Sequence, residues 1–168
     1  HVGYVLIALV AASDQGIKSA SIYMFTYLIM NISIFAIILS LKKSDKYVDK
    51  IIDLSGLSKS NPVVSASLAI IMLSMAGIPP FIGFFGKFYI FMAAIESQLY
   101  SLAILGVLAS VISSFYYLRI IKGMYFDEDV DGENFDFTIN NQAKIILFIS
   151  MFIIIFFIFY PSLLTNII

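Results

Sequence analysis

The sequence predicts an all-α, polytopic transmembrane helix bundle of about five membrane segments, one of them a discontinuous helix broken at proline. Three observations lead there. Of 168 residues, 61% are hydrophobic and only 12% charged, whereas a soluble domain carries about 25% charged residues. The apolar residues gather in runs near the length of about 20 residues that a helix needs to cross a bilayer. The longest run, 63–96, is interrupted by Gly77-Ile78-Pro79-Pro80 and then carries a basic residue, Lys87.

The first segment, about 1–12, is too short to span and lacks the basic flank of a signal peptide. It opens on His1 rather than Met, so the chain is expected to be the C-terminal part of a longer protein. Ser13-Asp14-Gln15-Gly16 reads as a short turn. The second segment, about 19–41, is long enough to cross. On it Tyr23, Tyr27 and Asn31 recur at i, i+4, i+8, forming one polar stripe on an apolar helix. In a bilayer such a stripe faces other helices or a water path, so packing and proton relay are both open to it. Residues 42–61 form a hydrophilic connection, in which Tyr47, Val48, Ile51 and Ile52 suggest one face of a short interfacial helix. The third segment is the broken run 63–96, and Glu96-Ser97-Gln98 closes it as a tight turn. A fourth segment covers about 100–121, with Tyr116 and Tyr117 beside Arg119 expected as interface anchors. Gly123 to Gln142 is a polar, acid-rich loop. The fifth segment, about 143–160, is nearly pure Ile, Phe and Leu around Ser150, ends near Pro161, and is expected to face lipid.

The break in the third segment has a direct cause. Pro79 and Pro80 carry no N–H, so the carbonyls of Met75 and Ala76 lose their helical partners; Ile78, preceding proline, is pushed from helical angles. Gly77 adds backbone freedom. Freed carbonyls at membrane depth are tolerated only when buried in protein or lining a watery cavity, and broken helices of this kind recur in transporters. Gly77, Ile78, Pro79 and Pro80 are therefore a candidate hinge beside a site.

Lys87 lies about 13 Å along a helix from Glu96 at 1.5 Å per residue, too far to snorkel easily to that interface. An ionisable residue held at depth is costly and marks a functional site by default. Lys87 is the candidate proton-loading group. Gly83 and Gly86 leave room on one side of it, and Phe84, Phe85 and Phe88 supply apolar walls. The competing reading is a structural lysine near a helix end.

Other chemistries are limited by composition. With no cysteine and one histidine, cysteine-held iron–sulfur clusters, disulfides and a haem on two histidines are excluded. Should the chain serve a redox enzyme, it does not carry the electrons. Asp127, Asp129, Asp131 and Gly132 are spaced like the start of a calcium-binding loop, but the twelfth position is Thr138 instead of a bidentate Glu. A solvated acidic loop is the better reading. His1 has an unperturbed pKa near neutrality and starts an apolar run, which makes it a candidate relay or a buried hydrogen-bonder. Nothing resembles a phosphate loop, a nucleophile with its base, a zinc site or a nucleic-acid surface.

Charge distribution orients the chain. If the segments cross alternately, Lys42, Lys43, Lys46, Lys50, Lys59, Arg119, Lys122 and Lys144 share one side, opposite Lys18. The excess of basic residues predicts that the 42–61 and 123–142 loops are cytoplasmic or in the matrix.

The run LSMAGIPPFIGFFGKFYIF (Leu73 to Phe91) resembles the broken helix of the proton-translocating, antiporter-like subunits of respiratory complex I, and within them the subunit N family of NADH-quinone oxidoreductases. HVGY (His1–Tyr4), MNISIFA (Met30–Ala36), DLSGLSKSNP (Asp53–Pro62), YYLRIIKGMYF (Tyr116–Phe126) and YPSLL (Tyr160–Leu164) resemble that family in the same order. The resemblance covers the whole chain. It implies that residues 1–168 are the C-terminal part of a subunit built from two inverted repeats, each with a broken helix and a buried charge. Lys87 matches the lysine of the second repeat and His1 a histidine two helices earlier; the first repeat is outside this sequence. Sister subunits place a glutamate, or a lysine followed by Asp-Glu, where this chain has Gly86-Lys87-Phe88-Tyr89. The resemblance further implies a bacterial or mitochondrial inner membrane, and other membrane and peripheral complex I subunits and lipid as partners. No cofactor is expected on this chain, since NADH, FMN, iron–sulfur clusters and quinone would be held by partner subunits. The fragment alone is not expected to be active. A subunit of a multi-component cation/proton antiporter, which also carries Gly-Lys-Phe, is the alternative; co-purification with NADH oxidation separates the two. A membrane scaffold whose Lys87 only packs is the structural alternative.

Overall fold

The computed structural model describes residues 1–43, 46–128, 135–137 and 141–156. Seven helices dominate: α1 (Val2–Val10), α2 (Asp14–Ile38), α3 (Leu57–Ser60), α4 (Pro62–Ala76), α5 (Ile82–Glu96), α6 (Tyr100–Phe126) and α7 (Asn141–Phe156). A 3-10 turn, Ile51–Leu54, and strands β1 (Leu41–Lys43), β2 (Lys46–Tyr47) and β3 (Phe135–Phe137) complete the described elements. The expected end of the fifth segment at 157–160, Pro161, the Tyr160–Leu164 motif, and Asp129, Asp131, Gly132 and Thr138 of the acidic loop lie outside the described residues.

Helices α2 and α6, of 25 and 27 residues, are long and apolar enough to cross a bilayer. Their outward faces are greasy: on α6, Leu105, Val111, Ile112 and Phe115 are each more than 60% exposed. Apolar surface of that extent marks a membrane or a partner. The 15-residue α4 and α5 are each only about 22 Å long at 1.5 Å per residue, short of the roughly 30 Å hydrocarbon core.

The two short helices nonetheless follow one path. Ile37 of α2 shares a cavity with Val63 and Val64 at the start of α4. Met30 accepts the Ser74 hydroxyl at 3.1 Å, Tyr23 and Thr26 face Gly86, and Ser19 donates to the Tyr89 carbonyl at 3.1 Å. Contacts thus step down α2 as the numbering rises through α4 and α5, so the halves together run antiparallel to one helix. Their junction is tight: a Cβ on Gly83 would collide with the Ser74 carbonyl. Helix α6 returns along both halves, with Gly106 against Phe91, Ser110 at Lys87 and Ser114 at Ala76.

Several boundaries differ from the sequence expectations. Ser13–Gly16 is not a free turn but the start of α2, because the Ser13 hydroxyl accepts the Gly16 N–H at 3.1 Å and Asp14 sits in the first turn. Helix α6 continues past residue 121 to Phe126. The 42–61 connection holds no interfacial helix at residues 47–52: Val48 is buried while Tyr47, Ile51 and Ile52 are exposed, so they do not share a face. There β1 pairs antiparallel with β2 and with β3, in the order β2-β1-β3. The sheet joins the α2–α4 connection to the α6–α7 connection at one end of the bundle. Helix α7 lays Ser150 and Ile154 inward and leaves Phe148 exposed.

Candidate functional site

Helix α4 ends because its backbone is turned aside. Gly77 adopts φ 84°, ψ 36°, a left-handed conformation that glycine takes without penalty. The Gly77 N–H bonds back to the Ser74 carbonyl and the Ile78 N–H to the Leu73 carbonyl, the paired bonds of a Schellman cap. Pro79 and Pro80, joined by a cis peptide, then block further helix. Helix α5 restarts at Ile82 without a side-chain cap from its own N-cap residue. Ser74 supplies a substitute: its hydroxyl accepts the Gly83 N–H at 3.1 Å and donates to Met30.

The carbonyl of Ala76, four residues before Pro80, is left without its helical donor and points at Lys87. The Lys87 side chain is only 4% exposed. Its Nζ donates to the Ala76 carbonyl at 3.0 Å and to Ser110 Oγ at 2.9 Å, and lies 5.2 Å from the centre of the Tyr4 ring. Ser114 donates to the same Ala76 carbonyl at 3.1 Å. Gly77 packs against the lysine stem, where a Cβ would lie 3.0 Å from Cδ. Among the described residues no carboxylate pairs with this amine; carbonyl, hydroxyl and aromatic face replace it. A cavity of about 290 Å3 lined by Gly77, Ile78, Phe84, Lys87, Ser110 and Ser114 has room for water molecules, each needing about 30 Å3.

On the other side of Tyr4 lies an aromatic cluster. The His1 ring bonds through Nδ1 to the Tyr23 hydroxyl and through Nε2 to the Tyr117 hydroxyl at 2.8 Å. It stacks on Tyr27 with centres 4.8 Å apart. Tyr4 stands 6.2 Å from His1 and 5.8 Å from Tyr23, centre to centre. A neutral imidazole donates through one nitrogen and accepts through the other, and an imidazolium donates through both; hydroxyls can answer either state.

Of the sequence candidates, Lys87 and Gly77, Ile78, Pro79 and Pro80 meet at the break, while His1, Tyr23 and Tyr27 meet across Tyr4. Asn31 does not join them: its amide turns back to the Tyr27 carbonyl at 2.9 Å. Tyr117 is no interface anchor, because its hydroxyl is bound to His1 inside the bundle; Tyr116 is the outward-facing one. Tyr4, Ser74, Ser110 and Ser114 are not among the sequence candidates, and Tyr117 is expected there in another role. Ser110, Ser114 and Tyr117, at i, i+4 and i+7, form a stripe that helical periodicity could have found.

The family described as NADH:quinone oxidoreductase/Mrp antiporter, transmembrane region, matches residues 1–113. The chain is similar to NADH-quinone oxidoreductase subunit N of Paramagnetospirillum magneticum, 49% identical over 162 residues, covering 96% of this chain and 33% of the relative. It is similar to the same subunit of Pelagibacter ubique, 48% identical over 168 residues, covering 100% of this chain and 35% of the relative. The chain thus spans about a third of the length of these curated relatives. Among solved structures, a chain of respiratory complex I from Thermus thermophilus with bound Aureothin superposes with a TM-score of 0.80 at 22% identity, covering 97% of this chain and 36% of that one. The shared fold follows from that superposition.

Proposed function

The chain belongs to the NADH:quinone oxidoreductase/Mrp antiporter membrane family, and from that premise we propose that it contributes a proton-translocating half-channel to the membrane arm of an NADH:quinone oxidoreductase, as a subunit of the N type. The observation that carries this reading is the Lys87 amine, buried with no carboxylate beside it among the described residues and held by the carbonyl that the proline break releases. Such a group is the proton-loading site. The cavity beside the break supplies water on one side, and the hydrogen-bonded His1, Tyr23 and Tyr117 are the relay beyond the Tyr4 ring.

In this reading the chain makes four crossings, α2, α4 with α5, α6 and α7, and α1 is the tail of a fifth membrane segment. The monotonic register of α4 and α5 on α2 supports counting them as one. The end bearing Lys42, Lys43, Lys46 and Lys50 faces the cytoplasm or matrix, in a bacterial or mitochondrial inner membrane. The partners are other complex I subunits and lipid. NADH, FMN, iron–sulfur clusters and quinone reside in those subunits, and this chain moves protons as their electron transfer proceeds.

The test is Lys87→Ala in the assembled complex. NADH-driven proton pumping is expected to fall at least tenfold, the factor that corresponds to about 1.4 kcal/mol. Full pumping by that variant would overturn the assignment.

A further inference from the structure

Lys87 meets its surroundings through groups of unlike chemistry. The Ala76 carbonyl accepts but has no proton to give, and the Tyr4 ring presents a π-face. The Ser110 hydroxyl both accepts and donates. That difference matters for a group that gains and loses a proton. An ammonium has three N–H donors and asks only for acceptors; a neutral amine has two N–H donors and a lone pair that asks for a donor.

Ser110, like Ser65 and Ser74, departs from the back-bonding seen at other serines of these helices. Ser19, Ser33 and Ser67 each donate to the carbonyl one turn back in their own helix, at 2.7 to 2.9 Å, the usual behaviour of a helical serine. The Ser110 hydroxyl does not. Among the described residues its hydrogen-bond partner is Lys87. Its carbonyl, meanwhile, is occupied by the hydroxyls of Ser113 and Ser114, both at 2.8 Å. The hydroxyl stands in the cavity wall with Lys87, and among the described residues no protein acceptor takes its hydrogen.

We propose that Ser110 is a positioning residue for the proton-loading amine: its hydroxyl accepts from the ammonium and, by turning about Cβ–Oγ, donates to the neutral amine. The amine is then held against the Ala76 carbonyl in both protonation states instead of swinging away when it loses its proton. The single Ser114 hydroxyl proton is shared between the Ser110 carbonyl at 2.8 Å and the Ala76 carbonyl at 3.1 Å, which ties the other acceptor to α6. This inference rests on the proton-loading role proposed for Lys87.

The test compares Ser110→Ala, Ser110→Thr and Ser113→Ala in the assembled complex, reading NADH-driven proton pumping against NADH oxidation. Ser113 is the internal control, since its hydroxyl touches only its own helix. The Ser110→Ala variant is expected to lose at least about fivefold of its pumping, the weight of one hydrogen bond. The Thr variant should keep most of it and Ser113→Ala all of it. Where the Ala variant does not assemble, the equal-sized pair Ser110→Thr and Ser110→Val decides, with Thr pumping and Val not. Equal pumping by Ala and wild type, by Thr and Ala, or by Val and Thr overturns the proposal. The Lys87→Ala variant in the same preparation keeps the two failures apart. If it pumps, the function reading falls; if it does not and Ser110 is indifferent, only the Ser110 role falls.

Discussion

Imidazole and phenol hydroxyls exchange donor and acceptor roles without moving heavy atoms, which is what the cluster around His1 offers. Tyr23 and Tyr117 grip its ring from two different helices, so the ring is located by α2 and α6 together. Tyr117→Phe removes one grip and keeps the ring packing. Pumping in the assembled complex is expected to fall by about fivefold, the equivalent of about 1 kcal/mol for one buried hydrogen bond; Tyr116→Phe, on the exposed neighbour, should leave it unchanged. Equal effects at the two positions would remove Tyr117 from the proposed relay. At this scale the charged residue was readable in the sequence and its surroundings were not. A lysine in an apolar run announces itself through its cost. The Ala76 carbonyl, Ser110 and Tyr4 are brought to it from three helices, and no local pattern encodes that meeting. Asn31 shows the converse, since periodicity put it on the stripe while its amide satisfied itself on its own helix.

For the broken helix, local chemistry was enough. Gly77 followed by Ile78-Pro79-Pro80 reads as a break, and the helix stops there, with Gly77 in a left-handed cap that the sequence expectation does not name. The restart depends on contact instead. Gly83 lets α5 begin against the last turn of α4, where a side chain would meet the Ser74 backbone. A backbone carbonyl cannot step aside as a flexible side chain does. Gly83→Ala is therefore expected to destabilise by about 1–3 kcal/mol or more, as overpacking does, and to drive the halves apart. Gly77→Ala costs about 1–2 kcal/mol for the left-handed backbone and also presses on the Lys87 stem. Gly3→Ala, whose added methyl meets nothing within 4 Å, should gain up to about 1 kcal/mol of helix propensity. Thermal unfolding of the purified assembly checks the order Gly3→Ala above wild type above the other two. A Gly83→Ala protein as stable as wild type would mean that the half-helices do not touch there. The start of α2 is also set locally. Ser13 with Asp14 is a cap-and-first-turn signature that the glycine at residue 16 disguised as a turn, although that glycine serves the close approach of α2 to Ala8.

The whole chain is held at one end by a sheet that no stretch of sequence advertised. Strands of two or three residues carry too few positions to show an alternating pattern, and β1 finds β3 only because the helices between them bring the two connections together. What was readable was the charge count, which grouped those same connections on one side. The sheet makes that grouping testable. Lys42 and Asp136 are directly paired in the β1–β3 register, and the chain has no cysteine of its own. Cysteines placed at these two positions are thus the chain's own reactive pair, with backbones about 4.5–5.5 Å apart as in any antiparallel partner, within reach of a disulfide. Oxidation of the double variant in membranes is expected to cross-link them, whereas the pair Lys18→Cys with Asp136→Cys, at opposite ends of α2 and the bundle, should stay reduced. Sidedness follows from the same variants. A membrane-impermeant maleimide should reach Lys42→Cys from the cytoplasmic or matrix face and Lys18→Cys from the other. If both label from one face, α2 does not cross the bilayer and the alternation on which the proposed proton path rests is lost.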